Sequence, residues 1–459
     1  MAGIGFELRK IFSRKTLVAR TWGVIYASAV SVGPTLLFLV LLFAIRFVMH
    51  QLRAGEMETL FFTASFTHVF LIAILLSAFL NTVVSRYISD KIFERKEADI
   101  CASLYGVLTI SSVVSGVITL ILCAMMHNRK DASITFLIAF YLLTVLASNV
   151  YQLITYVSAI KEYRKVTEAY LAGDVAAVGL FLLLFKLAQL PLLAAVFWAL
   201  AGGFFLINLL LVCVVVRSFG APSKNYFEFL SYFKKYPQLF FSGAAYMLGF
   251  YISNIIYWYF SDMSIKVSIF RIAPNYDMAI FLAMLVNLSS MIIFQVKTET
   301  SFYEKYVAYL SQLGKGTYEK LEASRVTLQN TLGLQLFYLY EVQLIITIIL
   351  ICLANVFYPY LGLNNEILNK LLLLGMGVYC IFCMYFTVIF LYYFEDYTGA
   401  CIATTVFFLI VLLGSCLCCV LGEPFDTIPV LTGGITGWII SFLLLRRRMQ
   451  KLNAFLLCR

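Results

Sequence analysis

Long apolar runs are the feature that most limits how this chain can fold. Twelve of them occur, with approximate cores at 21–45, 60–84, 101–126, 133–159, 166–185, 191–216, 238–260, 276–296, 333–358, 368–393, 398–421 and 429–445. A helix that crosses a hydrocarbon layer needs about 20 apolar residues at 1.5 Å rise each, and every run approaches or exceeds that length. Barrel strands would instead show alternation over about 10 residues. Between the runs there is little polar sequence: 62% of the 459 residues are apolar and 13% are charged, against about 25% charged in a soluble domain. A soluble globule of this size exposes a shell that so few polar residues cannot cover. The expected class is an all-α polytopic membrane protein with about twelve transmembrane helices. A cytosolic nucleotide enzyme, a secreted enzyme and a disordered scaffold are excluded as readings of the whole chain.

The net charge of +10 points to topology rather than to nucleic acid, because loops on the cytoplasmic side of a membrane retain Lys and Arg. With the N-terminus placed in the cytoplasm, 26 of the 34 basic residues fall on inner segments and 8 on outer ones. An error of one helix would mix the two classes, so both termini are expected in the cytoplasm. Residues 1–20 carry Arg9, Lys10, Arg14, Lys15 and Arg20 among Ile4, Leu8, Ile11 and Phe12. That segment reads either as an amphipathic helix on the anionic inner leaflet or as a plain basic tail that sets topology. The segment 217–236 is expected as a cytoplasmic linker between two six-helix halves, 21–216 and 237–445. The loop 297–330 is expected to form two short cytoplasmic helices, and 446–459 is a basic tail.

No loop is long enough for a soluble domain of about 100 residues. No GxxxxGK[ST] phosphate loop, DxD or HExxH motif is present, and His50, His68 and His127 do not share metal-ligand spacing, so no catalytic residue, metal or cofactor is expected. The eleven cysteines give no disulfide framework in the outer loops; Cys380 and Cys383 lie within a span and behave as small hydrophobes. Absence of enzyme motifs in a twelve-span chain favours transport.

Polar residues within spans are costly and face a cavity or a neighbouring helix. Ser28, Ser31 and Thr35 share a face of the first span, beside Gly33 and Pro34, a pair that should kink it. Ser77, Asn81 and Ser85 align on the second. Tyr141, Thr144, Ser148, Gln152 and Thr155 align on the fourth, and Phe250, Tyr251, Asn254, Tyr257 and Trp258 make an aromatic face on the seventh. One reading is the wall of a wet path, where amides and hydroxyls exchange hydrogen bonds with sugars and rings stack on them. The other is helix packing through small polar residues with an aromatic belt. The ionisable groups inside spans are Asp174 and Glu341, with Asp277 opening the eighth span beside Tyr276. Asp174 and Glu341 are candidates for coupling an ion to a conformational change, or for a hydrogen bond to a facing helix.

The opening Met1-Ala2-Gly3-Ile4-Gly5-Phe6-Glu7-Leu8-Arg9-Lys10 resembles that of the PelG family, the membrane transporter of the Pel exopolysaccharide system. Gly33-Pro34 matches a Gly-Pro of that family. Tyr276-Asp277, Ile280 to Ala283, and Glu299-Thr300 with Phe302 and Tyr303 resemble its YD…IFLA…ET-x-F signature, and the tail from Leu443 through Arg446, Leu452 and Phe455 also fits. One departure stands in the seventh span, where the family tends to carry Asp-Lys and this chain has Ser253-Asn254 before Tyr257-Trp258. The resemblance implies a multidrug/oligosaccharidyl-lipid/polysaccharide exporter fold: two six-helix bundles around a central cavity, alternating access, and a bacterial plasma-membrane location. It also implies an amino-sugar-rich polysaccharide substrate, a cytosolic glycosyltransferase, and small membrane partners that include a cyclic di-GMP sensor. The competing expectation is an ion-coupled small-molecule or drug antiporter of the same fold.

Overall fold

The computed structural model describes residues 32–160, 162–297, 302–315, 317–422 and 425–457. The segment 1–20, together with Ser28, Ser31 and Glu299, lies outside them. Among the described residues twelve helices are long and apolar enough to cross a membrane, one for each expected span, with 21–31 of the first span outside the described residues. In chain order the helices are α1 Gly33–Gln51, α2 Glu56–Phe93, α3 Glu97–Arg129, α4 Ile134–Ile160, α5 Tyr163–Lys186, α6 Leu192–Phe219, α7 Leu230–Lys235 and α8 Pro237–Phe260. A hairpin follows, β1 Ile265–Val267 and β2 Phe270–Ile272. Then come α9 Pro274–Asn287, α10 Ser289–Lys297, α11 Tyr303–Lys315, α12 Tyr318–Leu361, α13 Asn365–Tyr393, α14 Tyr397–Leu421, a 3-10 turn Phe425–Thr427, α15 Ile428–Gln450 and α16 Leu452–Leu457.

The chain forms two compact units. The first holds residues 32–244 and the hairpin 265–272; the second holds 245–264 and the chain from 273 onward. The division falls inside α8 rather than at the expected linker. Residues 217–236 are packed into the first unit: Ser223 and Asn225 donate to Asp99 Oδ1 (2.6 and 3.1 Å), and Glu228 accepts from Lys91 (2.7 Å).

In the first unit α4 lies against α2, α3 and α6, and α5 against α6. An aromatic core joins Phe62, Phe66 and Phe70 of α2 to Phe38, Phe136, Phe197 and Phe204. In the second unit α13 packs on α9 and α15, and α14 on α15. Glycines set the closest approaches in both. A Cβ on Gly203 of α6 would come within 2.7 Å of the Gly173 carbonyl of α5, and a Cβ on Gly434 of α15 within 2.7 Å of the Gly377 carbonyl of α13. Helices in lipid gain little from burying apolar surface, so close backbone approach is how they bind one another. Their outward faces stay apolar: Phe43, Phe47, Leu334 and Leu413 are each more than 60% exposed, as suits contact with acyl chains.

The kink expected at Gly33-Pro34 involves 21–31, which lie outside the described residues; Pro34 itself stands in the first turn of α1, where its missing N–H costs nothing. The expectation of two short helices in 297–330 is corrected: among the described residues the loop gives one short helix, α11. Its second half continues unbroken into the ninth span as α12, 44 residues long and about 66 Å at 1.5 Å per residue, roughly twice the hydrocarbon thickness. The sequence from Tyr318 to Leu332 lacks Gly and Pro, and Glu322 pairs with Arg325 three residues on, so nothing stops the helix. α11 lies on this extension: Tyr309 donates to Asn453 Oδ1 (2.8 Å) and Asn453 to Glu322 (2.6 Å). Burial pushes the Tyr309 hydroxyl up to about 12. The loop between α8 and α9 is a two-stranded antiparallel hairpin with Val267 opposite Phe270. Ser268 in its turn takes a φ of 59°. The strain is held from both sides, by Arg129 donating to the Ser268 carbonyl (3.2 Å) and Ser268 Oγ donating to Asp131 (2.6 Å). Phe270 seats against His68 and Phe140.

Candidate functional site

Most of the residues singled out by sequence lie on α8 and α9 in the second unit or on α2 and α4 in the first. In the second unit, Asn254, Tyr257 and Trp258 share a face of α8 through i, i+3 and i+4 spacing and are 5%, 0% and 2% exposed. They meet the first turn of α9, which Pro274 opens. Ala273 at the N-cap has no side-chain acceptor to offer. Asp277, four residues on, reaches back instead, and its Oδ2 accepts the Ala273 N–H at 3.0 Å, with an anion favoured at the helix N-terminus. The same carboxylate accepts Asn254 Nδ2 at 2.7 Å and Trp258 Nε1 at 2.9 Å to both oxygens. All these donors are neutral, and among the described residues no Lys or Arg forms an ion pair with Asp277.

Tyr257 donates to the Asp426 carbonyl (2.7 Å) and meets the Tyr276 ring edge-on, with centroids 4.8 Å apart. Asp426 in turn pairs with Lys370 of α13, which also lies 3.5 Å from Glu366; Lys370 and Asp426 are 5% and 3% exposed. The expected aromatic face is therefore not an open wall in this conformation. Tyr257 and Trp258 turn into the unit and use their polar atoms there. Tyr251 alone of the three aromatic candidates is half-buried, with its ring centroid 5.1 Å from that of Phe250.

In the first unit the α4 stripe divides in two. Thr144 and Ser148 are fully buried and return their hydroxyls to the Phe140 and Thr144 carbonyls (2.8 Å each), which is helix packing. Gln152 is different. It is also fully buried, yet neither Nε2 nor Oε1 has a hydrogen-bond partner. Asn149, one turn away on the same face, donates to Ser112 Oγ (2.8 Å) but leaves its Oδ1 without a donor, as do Ser111 Oγ on α3 and Asn81 Oδ1 on α2. Tyr141, half-buried, holds its hydroxyl where a Cβ on Gly116 would stand 2.8 Å away. Enclosed polar atoms without partners are rare in folded proteins; a set of them suits groups that bring their own hydrogen bonds, such as water or a sugar hydroxyl. Asn149, Ser111 and Ser112 escaped the sequence reading. Asn149 had a legible signal, an amide three residues before Gln152 within an apolar run.

The remaining candidates stand apart. Asp174 is half-buried on α5 with Oδ2 enclosed and unpartnered, one turn from the buried Tyr170. Glu341 lies on the exposed side of α12 with Phe337, Tyr338 and Ile345, away from the interior of its unit. Gly33 packs on Thr167 of α5. Among the described residues no group of three or more His, Cys, Asp or Glu is placed to hold a metal ion.

The sequence profile of a family described as PelG, putative exopolysaccharide exporter (EPS-E), matches residues 1–456. The chain belongs to the PelG family. No curated protein sequence matches it. Solved structures that resemble this PelG-family chain are transporters. One is an outward-facing multidrug resistance MATE family transporter of the MOP superfamily, with TM-score 0.63 and 13% identity over 93% of this chain and 96% of that one. Another is a MOP superfamily transporter from Pyrococcus furiosus, with TM-score 0.61 and 14% identity over 94% and 96%. A third is the eukaryotic MATE transporter AtDTX14, with TM-score 0.57 and 14% identity over 94% and 98%. At such identities the likeness shows the fold: this PelG-family chain is a multi-pass membrane protein with the two-lobed architecture of these transporters.

Proposed function

We propose that this PelG-family protein exports a hydrophilic exopolysaccharide across the bacterial plasma membrane, with its two six-helix lobes alternating in access. The observation that carries the reading is the family match over residues 1–456 in a chain whose helices supply twelve spans. The buried amides and hydroxyls of the first unit support it. Gln152, Asn149, Asn81 and Ser111 offer unused hydrogen-bonding atoms of the kind that a passing sugar chain would satisfy as it replaced water. Tyr141, Tyr251, Tyr257 and Trp258 are the aromatic candidates along such a path, the last two after leaving their partners Asp426 and Asp277. The substrate would be amino-sugar-rich, and a cytosolic glycosyltransferase, with small membrane proteins including a cyclic di-GMP sensor, would supply and regulate it. The extension of α12 with α11 offers a surface for that supply. Deletion of the gene tests the reading: polysaccharide should disappear from the medium while its precursors or the polymer remain in the cell. Unchanged secretion in the deletion strain refutes it.

A second reading, an ion-coupled antiporter of small molecules, draws on the multidrug transporter among the structural neighbours. It makes the half-buried carboxylates Asp174 and Asp277 the coupling groups. It predicts altered drug tolerance in the deletion strain with normal polysaccharide secretion, which separates it from the first.

A further inference from the structure

The segment between α6 and α8 is built on one side and open on the other. On the built side, Lys91 of α2 is 4% exposed and is held between Glu228 Oε1 (2.7 Å) and Asp99 Oδ2 (3.5 Å). Tyr87 donates to Glu228 Oε2 (3.1 Å), and Ser223 and Asn225 donate to Asp99. Gly106 of α3 has no side chain because the Tyr226 carbonyl fills the space where a Cβ would be. Phe229 is fully buried, with its ring edge-on to Tyr87. Burial pushes the Tyr232 hydroxyl up to about 12, as expected of a side chain that faces the unit. So many fixed points make 222–236 a rigid surface.

The open side has its own composition. Tyr226, Phe227 and Leu230 are 41%, 50% and 44% exposed, and Lys224, Lys234 and Lys235 are exposed among them. The segment has one carboxylate, Glu228, which Lys91 binds; the neighbouring acids Asp90 and Glu94 pair with Arg86 and Lys96, so Lys224, Lys234 and Lys235 leave the outward face apolar and net cationic. Lys235 lies 5.3 and 5.2 Å from the ring centroids of Tyr232 and Tyr236, and Arg86 lies over Tyr236 from 5.4 Å. Position decides what can cover such a face. The chain leaves one membrane-crossing helix at Phe219 and enters the next at Pro237, so this surface stands at the boundary of the bilayer, where headgroups meet acyl chains. Exposed aromatic and leucine side chains rimmed by lysines match that layer, and an anionic leaflet supplies the missing charge.

We propose that residues 224–235 form a docking surface for anionic phospholipid of the leaflet facing them, with Tyr226, Phe227 and Leu230 in the acyl boundary and Lys224, Lys234 and Lys235 on the phosphates. This goes beyond the transport reading and does not depend on which substrate is carried.

The test uses the full-length protein, purified and reconstituted in nanodiscs containing equal phosphatidylglycerol and phosphatidylethanolamine. Lipid that stays with the protein after transfer to detergent is counted by native mass spectrometry. Wild type should retain phosphatidylglycerol in preference. The variant K224Q/K234Q/K235Q should lose that preference by about fivefold per lysine, the weight of one basic residue near an anionic surface. K224R/K234R/K235R should keep it, which guards against a change that merely unfolds the segment. Equal retention of the two lipids by wild type, or an unchanged preference in the Gln variant, overturns the proposal. So does loss of the preference in the Arg variant. An unchanged preference together with abolished export in the Gln variant would assign the surface to a protein partner instead.

Discussion

Lys370→Met isolates one buried charge pair and gives a measurable consequence. Lys370 and Asp426 are almost completely enclosed, and Asp426 has no other cation near it among the described residues. The Lys370 ammonium also meets Glu366 at 3.5 Å, but Glu366 is more exposed and accepts from Asn275 as well. Removing the lysine therefore strands chiefly the Asp426 carboxylate, at a cost of about 3–5 kcal/mol for a broken buried pair. Unfolding entropy near 2.1 cal/mol/K per residue converts this to a fall in Tm of about 3–5 °C if all 459 residues unfold together, and about twice that if the second unit unfolds alone. Purified protein in detergent, heated in steps and scored by the folded fraction on size exclusion, reads the shift. The double variant Lys370→Met/Asp426→Leu removes both charges and should recover most of the loss, because an apolar pair of similar volume is about as stable as a buried ion pair. Additive effects in this cycle, with coupling below about 0.5 kcal/mol, would refute the argument that the two charges sustain each other.

Three further outcomes follow from the same structure. Gln152→Leu removes an amide whose two polar atoms lack partners, so Tm should rise, by about 1–3 kcal/mol of stability, while polysaccharide secretion falls if the amide lines the path; a lower Tm would mean that Gln152 is already satisfied. Trp258→Phe deletes the indole donor to both Asp277 oxygens and should cost about 1–3 kcal/mol, read as a lower midpoint in the same thermal assay. Gly434→Leu drives a side chain into the Gly377 carbonyl and should lower folded yield by the 1–3 kcal/mol typical of overpacking; Gly333→Ala, at a helical glycine with open space around its Cβ position, is the matched control and should keep wild-type yield.

The capping arrangement at Asp277 illustrates what was legible and what was not. Its position, at the opening of a span after Pro274, could be read directly. The convergence of Ala273, Asn254 and Trp258 upon it could not, because no periodicity within α8 or α9 says which residues of the two helices will face each other. The same holds for Lys370 and Asp426, 56 residues apart, and for Lys91, whose distant carboxylate partners come from α3 and from the segment before α7. Conversely, the long α12 was misjudged through a local cue. Mixed charge and Gly314 and Gly316 suggested an interrupted loop up to 330, while continuous helix formers from Tyr318 on carried the helix far past the bilayer.

By itself the sequence determined the number of spans, their helical form and their approximate limits, since each depends only on local hydrophobic length against a slab of fixed thickness. It also carried the family, through residues that match in order along the chain. Tertiary structure alone decided that the lobes divide within α8, that a hairpin from the 260–273 loop joins the first unit, and which polar side chains are spent inside a bundle. Those outcomes depend on contacts between residues far apart in the chain. Lipid treats a buried and a lipid-facing leucine alike, so the hydrophobic pattern carries almost no record of which helix face meets which.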